Sequence, residues 1–308
     1  MYEHSNLLEV SRAVAEMSVK PVTACQEYLK NPDLKKEDIE SLRNWVLSQP
    51  QFPVPTEEQL IRFYHSCYYD MEATKSCMQI YYNLRSNTPE FFNDRDISRP
   101  ELKQALEALF YSSLPVKDPN GYQIVLHGLR QYEASKYNFC NGVKLLAMAI
   151  DACMMVEGTV PGFIFLFDMK GVKLSHLTRL SFTFLKKFFT YIQEGNPIRL
   201  KAIHVVNTLP IVDKIMFMIK PFMRKELLEL IHYHSSDLSE IQAALPKSCL
   251  PKDYGGDLPS ITELHEKYTD WMEKMKPLFD EEEKYRINDK QNRKDSSSEI
   301  NIRNLSID

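Results

Sequence analysis

GFIFLF, at residues 162–167, is a continuous apolar run of the kind that forms a strand buried on both faces of a sheet. A second such run, AIHVV, follows at 202–206. A shorter apolar, β-branched segment at 122–127 precedes GFIFLF. Between these segments, apolar residues recur at helical spacing over 139–154 and 177–191. The order strand, helix, strand, helix, strand predicts parallel crossover connections and an α/β domain.

The chain before this region predicts a separate helical domain. TEEQ, at residues 56–59, has the pattern of a capping box that starts a helix. Apolar residues recur at steps of three or four throughout this part, beginning with Leu7, Val10, Val14 and Met17. We therefore predict an all-helical domain over 1–110 and an α/β domain over 111–280. The charged, Ser-rich end of the chain, 281–308, is predicted to be disordered.

Composition excludes several classes of function. The net charge of −4 lacks the basic excess of a general nucleic-acid binder. Only 9 of 308 residues are glycine, which leaves little material for a phosphate-binding loop. No nucleophile elbow, P-loop, dinucleotide fingerprint or zinc-protease motif occurs, so we expect neither an enzyme nor a cofactor or metal site. The beginning of the sequence does not have the pattern of a signal peptide. The six cysteines show no C-x-x-C pair and no dense spacing, as is usual for reduced thiols. Both observations predict a cytoplasmic protein.

The segment PIVDKIMFMIKPFM, residues 210–223, is apolar around nearly its whole helical circumference. Such a helix is normally buried on all sides in a core. However, Lys214 and Lys220 interrupt it, and Pro221 breaks it near its end. The alternative is a lid, with one face closing an apolar cavity and the other facing a membrane. The residues alone leave both interpretations open.

Three strings in order carry a resemblance to a known family. IHVVN at 203–207, IKPFM at 219–223 and LPKSCLPKDYGG at 245–256 resemble the CRAL-TRIO lipid-transfer family, and within it the tocopherol-binding, retinaldehyde-binding and clavesin-like subgroup. The stretch from about residue 42 to 85 is similar to the helical module that precedes this domain in the family. The resemblance implies a mostly parallel sheet that floors an apolar cavity, closed by a mobile gate helix. The segment 210–223 matches that gate.

The resemblance also implies the site residues. The lipid cavity is expected to be lined by Leu145, Ala149, Phe163, Phe165, Phe167, Phe188, Tyr191, Ile192, Leu200 and Ile203. The gate is expected to use Val212, Ile215, Met216, Met218, Ile219 and Phe222. Leu145 and Ala149 stand where the family has serines, and Phe165 and Phe188 replace smaller residues. These exchanges predict a narrow, aromatic cavity.

Some members of the family bind a phosphoinositide headgroup in a basic cleft. The residues that match or neighbour its basic positions are Arg199, Lys201, Lys220, Arg224 and Lys225. This chain departs from the pattern further on, where Glu226, Leu228 and Leu230 replace basic residues. The departure puts phosphoinositide binding in doubt.

The expected function is that of a monomeric cytosolic carrier for a lipophilic molecule such as a tocopherol, retinoid or carotenoid. It would associate transiently with membranes and exchange its ligand through the gate. The alternative is a ligand-gated adaptor that senses a lipid and reports it to a protein partner, which the acidic, Ser-rich end would favour.

Overall fold

The structure is a computed structural model that describes residues 17–208 and 210–283. The predicted positions Leu7, Val10 and Val14, and nearly all of the tail predicted over 281–308, lie outside the described residues.

Six helices form the described N-terminal part, from residue 17 to the start of the sheet. They are α1 (Ala24–Lys30), α2 (Lys36–Leu47), α3 (Glu57–Ser66), α4 (Met71–Asn87), α5 (Pro89–Phe92) and α6 (Pro100–Ala108). The predicted capping box is present at the start of α3, where Thr56 and Gln59 bond each other's backbone N–H groups. The buried faces of α2 and α3 carry Ile39, Leu42 and Leu60. The helical part thus follows its amphipathic pattern.

A five-stranded sheet follows, with strands in sequential order. The strands are β1 (Leu109–Ser113), β2 (Gln123–Leu129), β3 (Phe163–Asp168), β4 (Leu200–Val206) and β5 (Ile231–Tyr233). β1 is antiparallel to β2, and the remaining pairs are parallel. The predicted α/β class with a mostly parallel sheet is therefore confirmed.

Helices connect and cover the strands. They are α7 (Phe139–Val156), α8 (Leu174–Leu177), α9 (Phe182–Thr190), α10 (Val212–Ile219), α11 (Lys225–Glu229), α12 (Leu238–Ala244), α13 (Ile261–Lys274) and α14 (Lys276–Glu282). Among the described residues, α7 is the one helix long and apolar enough to cross a membrane. It is a core helix here, since 78% of that stretch is buried inside the protein.

The two faces of the sheet belong to two separate apolar clusters. Phe163, Phe165 and Phe167 share one face with α7 and the N-terminal helices, as their alternation predicts. Ile164 and Leu166 point to the other face, which packs on α12, α13 and the segment around Tyr254. The first face is the one that carries the cavity described below.

Two strands and one helix break differ from the prediction. β1 was not predicted, and the expected domain boundary at residue 110 falls inside it. β5 was not predicted either, because its three residues are too short for a periodic signal. The long helix predicted over 177–191 is interrupted: α8 ends at Leu177, and α9 begins at Phe182 and continues as a π-turn to Gly195.

The C-terminal helix extends beyond the predicted boundary at residue 280. α14 continues to Glu282, whose carboxylate lies 2.8 Å from the guanidinium of Arg95 in the protein interior. Arg85 and Asp151 complete this buried group of charges. A long-range ion pair holds the segment in place, and local composition could not indicate it.

Candidate functional site

An apolar cavity of about 290 Å³ lies between the sheet and the helices of its first face. Its floor is formed by side chains from the carboxyl halves of β2, β3 and β4, including His127, Phe167 and Val205. Its walls are α7, the segment from Met169 to α9, and α10. The crevice at the carboxyl ends of parallel strands is the usual place for a ligand in an α/β fold, and this volume is at the lower end of the range for ligand sites.

Five of the ten residues expected to line the cavity do so: Phe165, Phe167, Phe188, Ile192 and Ile203. They come from β3, α9, the π-turn after α9, and β4. Aromatic rings contribute much of the surface, since Tyr111, Tyr137, Phe139 and Phe189 line the same space. The narrow aromatic character that the sequence predicts agrees with this lining.

Leu145, Ala149, Phe163, Tyr191 and Leu200 do not line the cavity. Phe163 and Leu200 face each other at the amino ends of β3 and β4, away from the carboxyl halves that form the floor. Tyr191 packs on the ring of Phe92, 5.0 Å away between centroids. These five residues were expected to line the cavity because they match cavity positions of the family. They lie on elements that bound the cavity, but not at the level of the cavity itself.

The geometry of α7 explains why Leu145 and Ala149 do not line the cavity. Gly142, Val143 and Leu146 line the cavity from one helix face. Leu145 lies about 200° round the helix from Val143 and is buried in the core instead. Ala149 lies seven residues beyond Gly142 on nearly the same face, about 10 Å further along the axis.

The predicted gate is a surface helix that forms one wall of the cavity. Val212, Ile215, Met216 and Ile219 line the cavity, but none of the residues of α10 is fully buried. The segment therefore does not form a central core helix, which was the first of the two interpretations of its sequence. Of the other expected gate residues, Met218 does not line the cavity, and Phe222 packs on Phe182 with ring centroids 6.1 Å apart.

The outer side of α10 exposes Phe217 together with the charged Asp213 and Lys214. Phe217 is 86% exposed, the largest value among the big apolar side chains of the described residues. Phe182 at the start of α9 and Leu174 at the start of α8 are 61% and 49% exposed. Large exposed apolar side chains gathered on one part of a surface mark an interaction site.

The predicted basic residues mostly bond to the protein itself. The guanidinium of Arg199 stacks 4.2 Å from the ring centre of Tyr68, and its Nε donates to the carbonyl of His65 at 2.8 Å. Lys201 donates to the hydroxyl of Tyr68 at 2.9 Å. Tyr68 was not predicted as part of this site; its position in a tight turn after α3 brings its ring over these cations.

The remaining three basic residues follow the gate. Arg224 pairs with Glu194 at 2.7 Å, and Lys225 lies 3.6 Å from Glu229 on the same helix. Lys220 is exposed at the end of α10. All five are thus accounted for, but four of them have partners within the chain.

A histidine cluster that the sequence did not predict forms around β5. His232 lies in β5 and His234 directly follows it, and residues two apart in an extended segment lie on one face. His232 and His234 therefore both reach His204 on β4, and Nδ1 of His204 lies 2.8 Å from Nε2 of His234. Among the described residues, no group of three His, Cys, Asp or Glu side chains is placed to hold a metal ion.

Acidification is expected to destabilise the fold through its buried histidines. Burial lowers the pKa of His65 to about 3, and those of His127 and His204 to about 4. A histidine in the unfolded chain has a pKa of about 6.5. Between about pH 6.5 and 4 the unfolded state therefore binds more protons, and stability falls as pH falls.

Urea unfolding at a series of pH values tests this dependence. The midpoint is expected to decrease from pH 7 to pH 5, and the His127→Gln variant is expected to show a shallower decrease. A midpoint that stays constant over this range in the wild type would contradict the assignment of neutral, buried histidines.

The comparisons with known proteins agree with the geometry. The CRAL/TRIO domain model matches residues 109–256, and the model described as a Pinta-like UBA domain matches residues 31–102. An alpha-tocopherol transfer protein-like protein of Homo sapiens is 31% identical over 247 residues, which cover 79% of this chain and 72% of the relative. The chain belongs to the CRAL-TRIO family.

More distant CRAL-TRIO relatives cover a similar part of the chain. Clavesin-1 of Xenopus laevis is 24% identical over 76% of this chain and 71% of the relative. Among solved structures, the crystal structure of Sfh5 has a TM-score of 0.49 and 14% identity, and the match covers 68% of this chain and 75% of that one. The match to the CRAL/TRIO model and the 31% identical relative confirm, at the level of the family, the resemblance inferred from IHVVN, IKPFM and LPKSCLPKDYGG.

Proposed function

We propose that the protein is a cytosolic carrier that holds one lipophilic small molecule in the cavity and exchanges it with membranes through α10. The observation that carries the proposal is the position of this helix. Its inner side, with Val212, Ile215 and Ile219, forms the cavity wall, while Phe217 on its outer side is exposed. One short surface helix therefore separates an apolar interior from the surroundings.

The physical chemistry of such a ligand requires a route that avoids water. At about 0.8 kcal/mol per buried CH₂, moving a molecule of about twenty carbons into water costs on the order of 15 kcal/mol. Spontaneous release into solution would be extremely slow. Opening at a bilayer avoids this cost, because the ligand passes from one apolar medium to another. This carriage breaks no bond, so no catalytic group is needed.

The exposed apolar side chains around the cavity wall supply the contact with the bilayer. Phe217, Phe182 and Leu174 belong to α10, α9 and α8, which all contribute to the wall or directly adjoin it. Insertion of each large side chain contributes roughly 1.5–3 kcal/mol. Lys214 on α10 and Lys220 directly after it add attraction to anionic headgroups of about 1 kcal/mol each.

Binding of a specific phosphoinositide would use Arg199 and Lys201 only after a rearrangement. Both cations lie against Tyr68, so a headgroup would have to displace this ring. Loss of the basic positions at Glu226, Leu228 and Leu230 removes further contacts. We therefore favour general attraction to anionic membranes.

Filling the cavity tests the proposal. Val205 on β4 lines the cavity, and Val205→Trp is expected to reduce the amount of copurifying or added lipid bound per protein at least about tenfold, since the larger side chain occupies the ligand's space. Val54→Trp is the matched control, because Val54 is 56% exposed and lies before α3, outside the cavity lining. Bound lipid can be counted by native mass spectrometry.

Equal lipid binding by the two tryptophan variants would contradict the assignment of this cavity. A wild-type protein that binds lipid but transfers none between donor and acceptor vesicles would instead favour the ligand-gated adaptor.

A further inference from the structure

The imidazole of His176 is a buried polar group in the wall of the apolar cavity. It lies in α8, is 4% exposed, and lines the cavity together with Leu177 and Leu180. The ring of Tyr137, another lining residue, meets it edge-on with centroids 5.8 Å apart. The imidazole is thus enclosed by apolar and aromatic side chains, and burial lowers its pKa, which keeps it neutral.

The hydrogen bonds of Nδ1 determine where the single proton of this neutral ring resides. Nδ1 lies 3.0 Å from the backbone nitrogen of Lys173 and 3.3 Å from the carbonyl oxygen of the same residue. A backbone N–H can only donate, and the carbonyl oxygen already accepts the backbone N–H of His176 at 2.9 Å. Nδ1 therefore accepts the shorter bond, and the proton is assigned to Nε2.

Nε2 has no hydrogen-bond partner in the structure. Several other buried side-chain atoms of the described residues share this property, among them those of Tyr191, Asn196 and Tyr268. None of these others belongs to a residue that lines the cavity, whereas His176 does. A buried donor without a partner is costly, and a native structure with one calls for a group that completes it.

We propose that the Nε2–H of His176 donates a hydrogen bond to an oxygen of the bound lipid. The ligand is then an elongated apolar molecule with a hydroxyl, carbonyl or ether oxygen at the end that lies beside α8, and pure hydrocarbons are poor ligands. This inference rests on the proposed carrier function, because it concerns the ligand of the same cavity. His176 is the group that selects oxygenated lipids from hydrocarbons of the same shape.

Matched pairs of lipids test the selection. The probes are all-trans-retinol and lutein, each compared with the hydrocarbon in which hydrogen replaces its hydroxyl groups. Dissociation constants are measured by quenching of the intrinsic tryptophan and tyrosine fluorescence. For a pair that binds, the wild type is expected to favour the oxygenated member about tenfold, as one net hydrogen bond allows.

Two variants show whether His176 causes the preference. His176→Phe keeps an aromatic ring but removes the donor, so the preference is expected to fall to near one. His176→Gln restores an N–H donor and is expected to recover part of the preference. If His176→Phe does not fold, the wild-type ratio and the His176→Gln ratio decide the matter.

The outcomes separate this inference from the proposed function. Equal affinity of the wild type for both members of every pair that binds would overturn the role of His176 and leave the carrier intact. The same holds for a preference that His176→Phe retains in full. Failure of every probe, oxygenated and hydrocarbon alike, to bind the wild type would overturn the carrier function and this inference together.

Discussion

Replacing Phe217 by aspartate is expected to slow lipid transfer between vesicles at least about tenfold while leaving ligand binding unchanged. Phe217 is 86% exposed on α10 and does not line the cavity. Its loss therefore leaves the ligand's surroundings intact. Insertion of a phenylalanine into lipid contributes roughly 1.5–3 kcal/mol, and a carboxylate in the same place opposes insertion, so the membrane step is the one affected.

The measurement is the transfer of a fluorescent lipid from loaded protein to acceptor vesicles. Leu29→Asp is the matched control, because Leu29 is 79% exposed but lies on α1, which contributes nothing to the cavity wall. The control is expected to transfer at the wild-type rate. Normal transfer by Phe217→Asp would show that α10 is not the element that meets the membrane.

Asp151→Ala is expected to cost about 3–5 kcal/mol of stability, because it removes one of the two carboxylates that neutralise the buried guanidiniums of Arg85 and Arg95. Asp151 lies in the middle of α7 and is fully buried. Its Oδ2 accepts from Arg85 and, at 2.8 Å, from Arg95. Glu282 of α14 contacts the same two guanidiniums at 3.5 and 2.8 Å. Two positive and two negative groups thus balance each other in the interior.

Urea unfolding followed by circular dichroism measures this loss. Glu157→Ala is the control, since Glu157 caps the same helix but pairs with Lys117 at the surface. An exposed pair of this kind is expected to contribute about 1 kcal/mol or less. A loss below 1 kcal/mol for Asp151→Ala would mean that the buried charges do not depend on one another.

The sequence predicted those features that depend on local pattern. The runs at 162–167 and 202–206 became β3 and β4, since a strand covered on both faces has little choice of residues. The apolar segment at 210–223 was also singled out, because Lys214 and Lys220 interrupt it, and most of it forms the surface helix α10. In each case the signal is contained in a few consecutive residues.

Features that depend on depth or on distant partners were missed. Whether a residue of α7 reaches the cavity depends on its angle and height, so Leu145 and Ala149 could not be separated from Leu146 by a match to the family alone. β5 exists because β4 offers it a partner edge. The helical position of Glu282 depends on its ion pairs with Arg85 and Arg95, which lie about 190 residues away in the chain.

His176 illustrates the same limit for the site. Its position in the sequence, SHL after a turn, carries no signal of a ligand. Only the fold shows that Nδ1 is occupied by the backbone of Lys173 while Nε2 has no partner beside an apolar cavity. A polar side chain that can bind a ligand in such a cavity is therefore recognised by asking which of its hydrogen-bonding atoms lack a partner within the protein.

Native mass spectrometry of the full-length protein, purified without detergent from cells or incubated with a lipid extract, tests the central claim most directly. The account predicts that each chain carries one lipophilic small molecule, which organic solvent releases for identification, and that Val205→Trp carries much less. A wild-type protein that stays free of lipid even after incubation with the extract would contradict it.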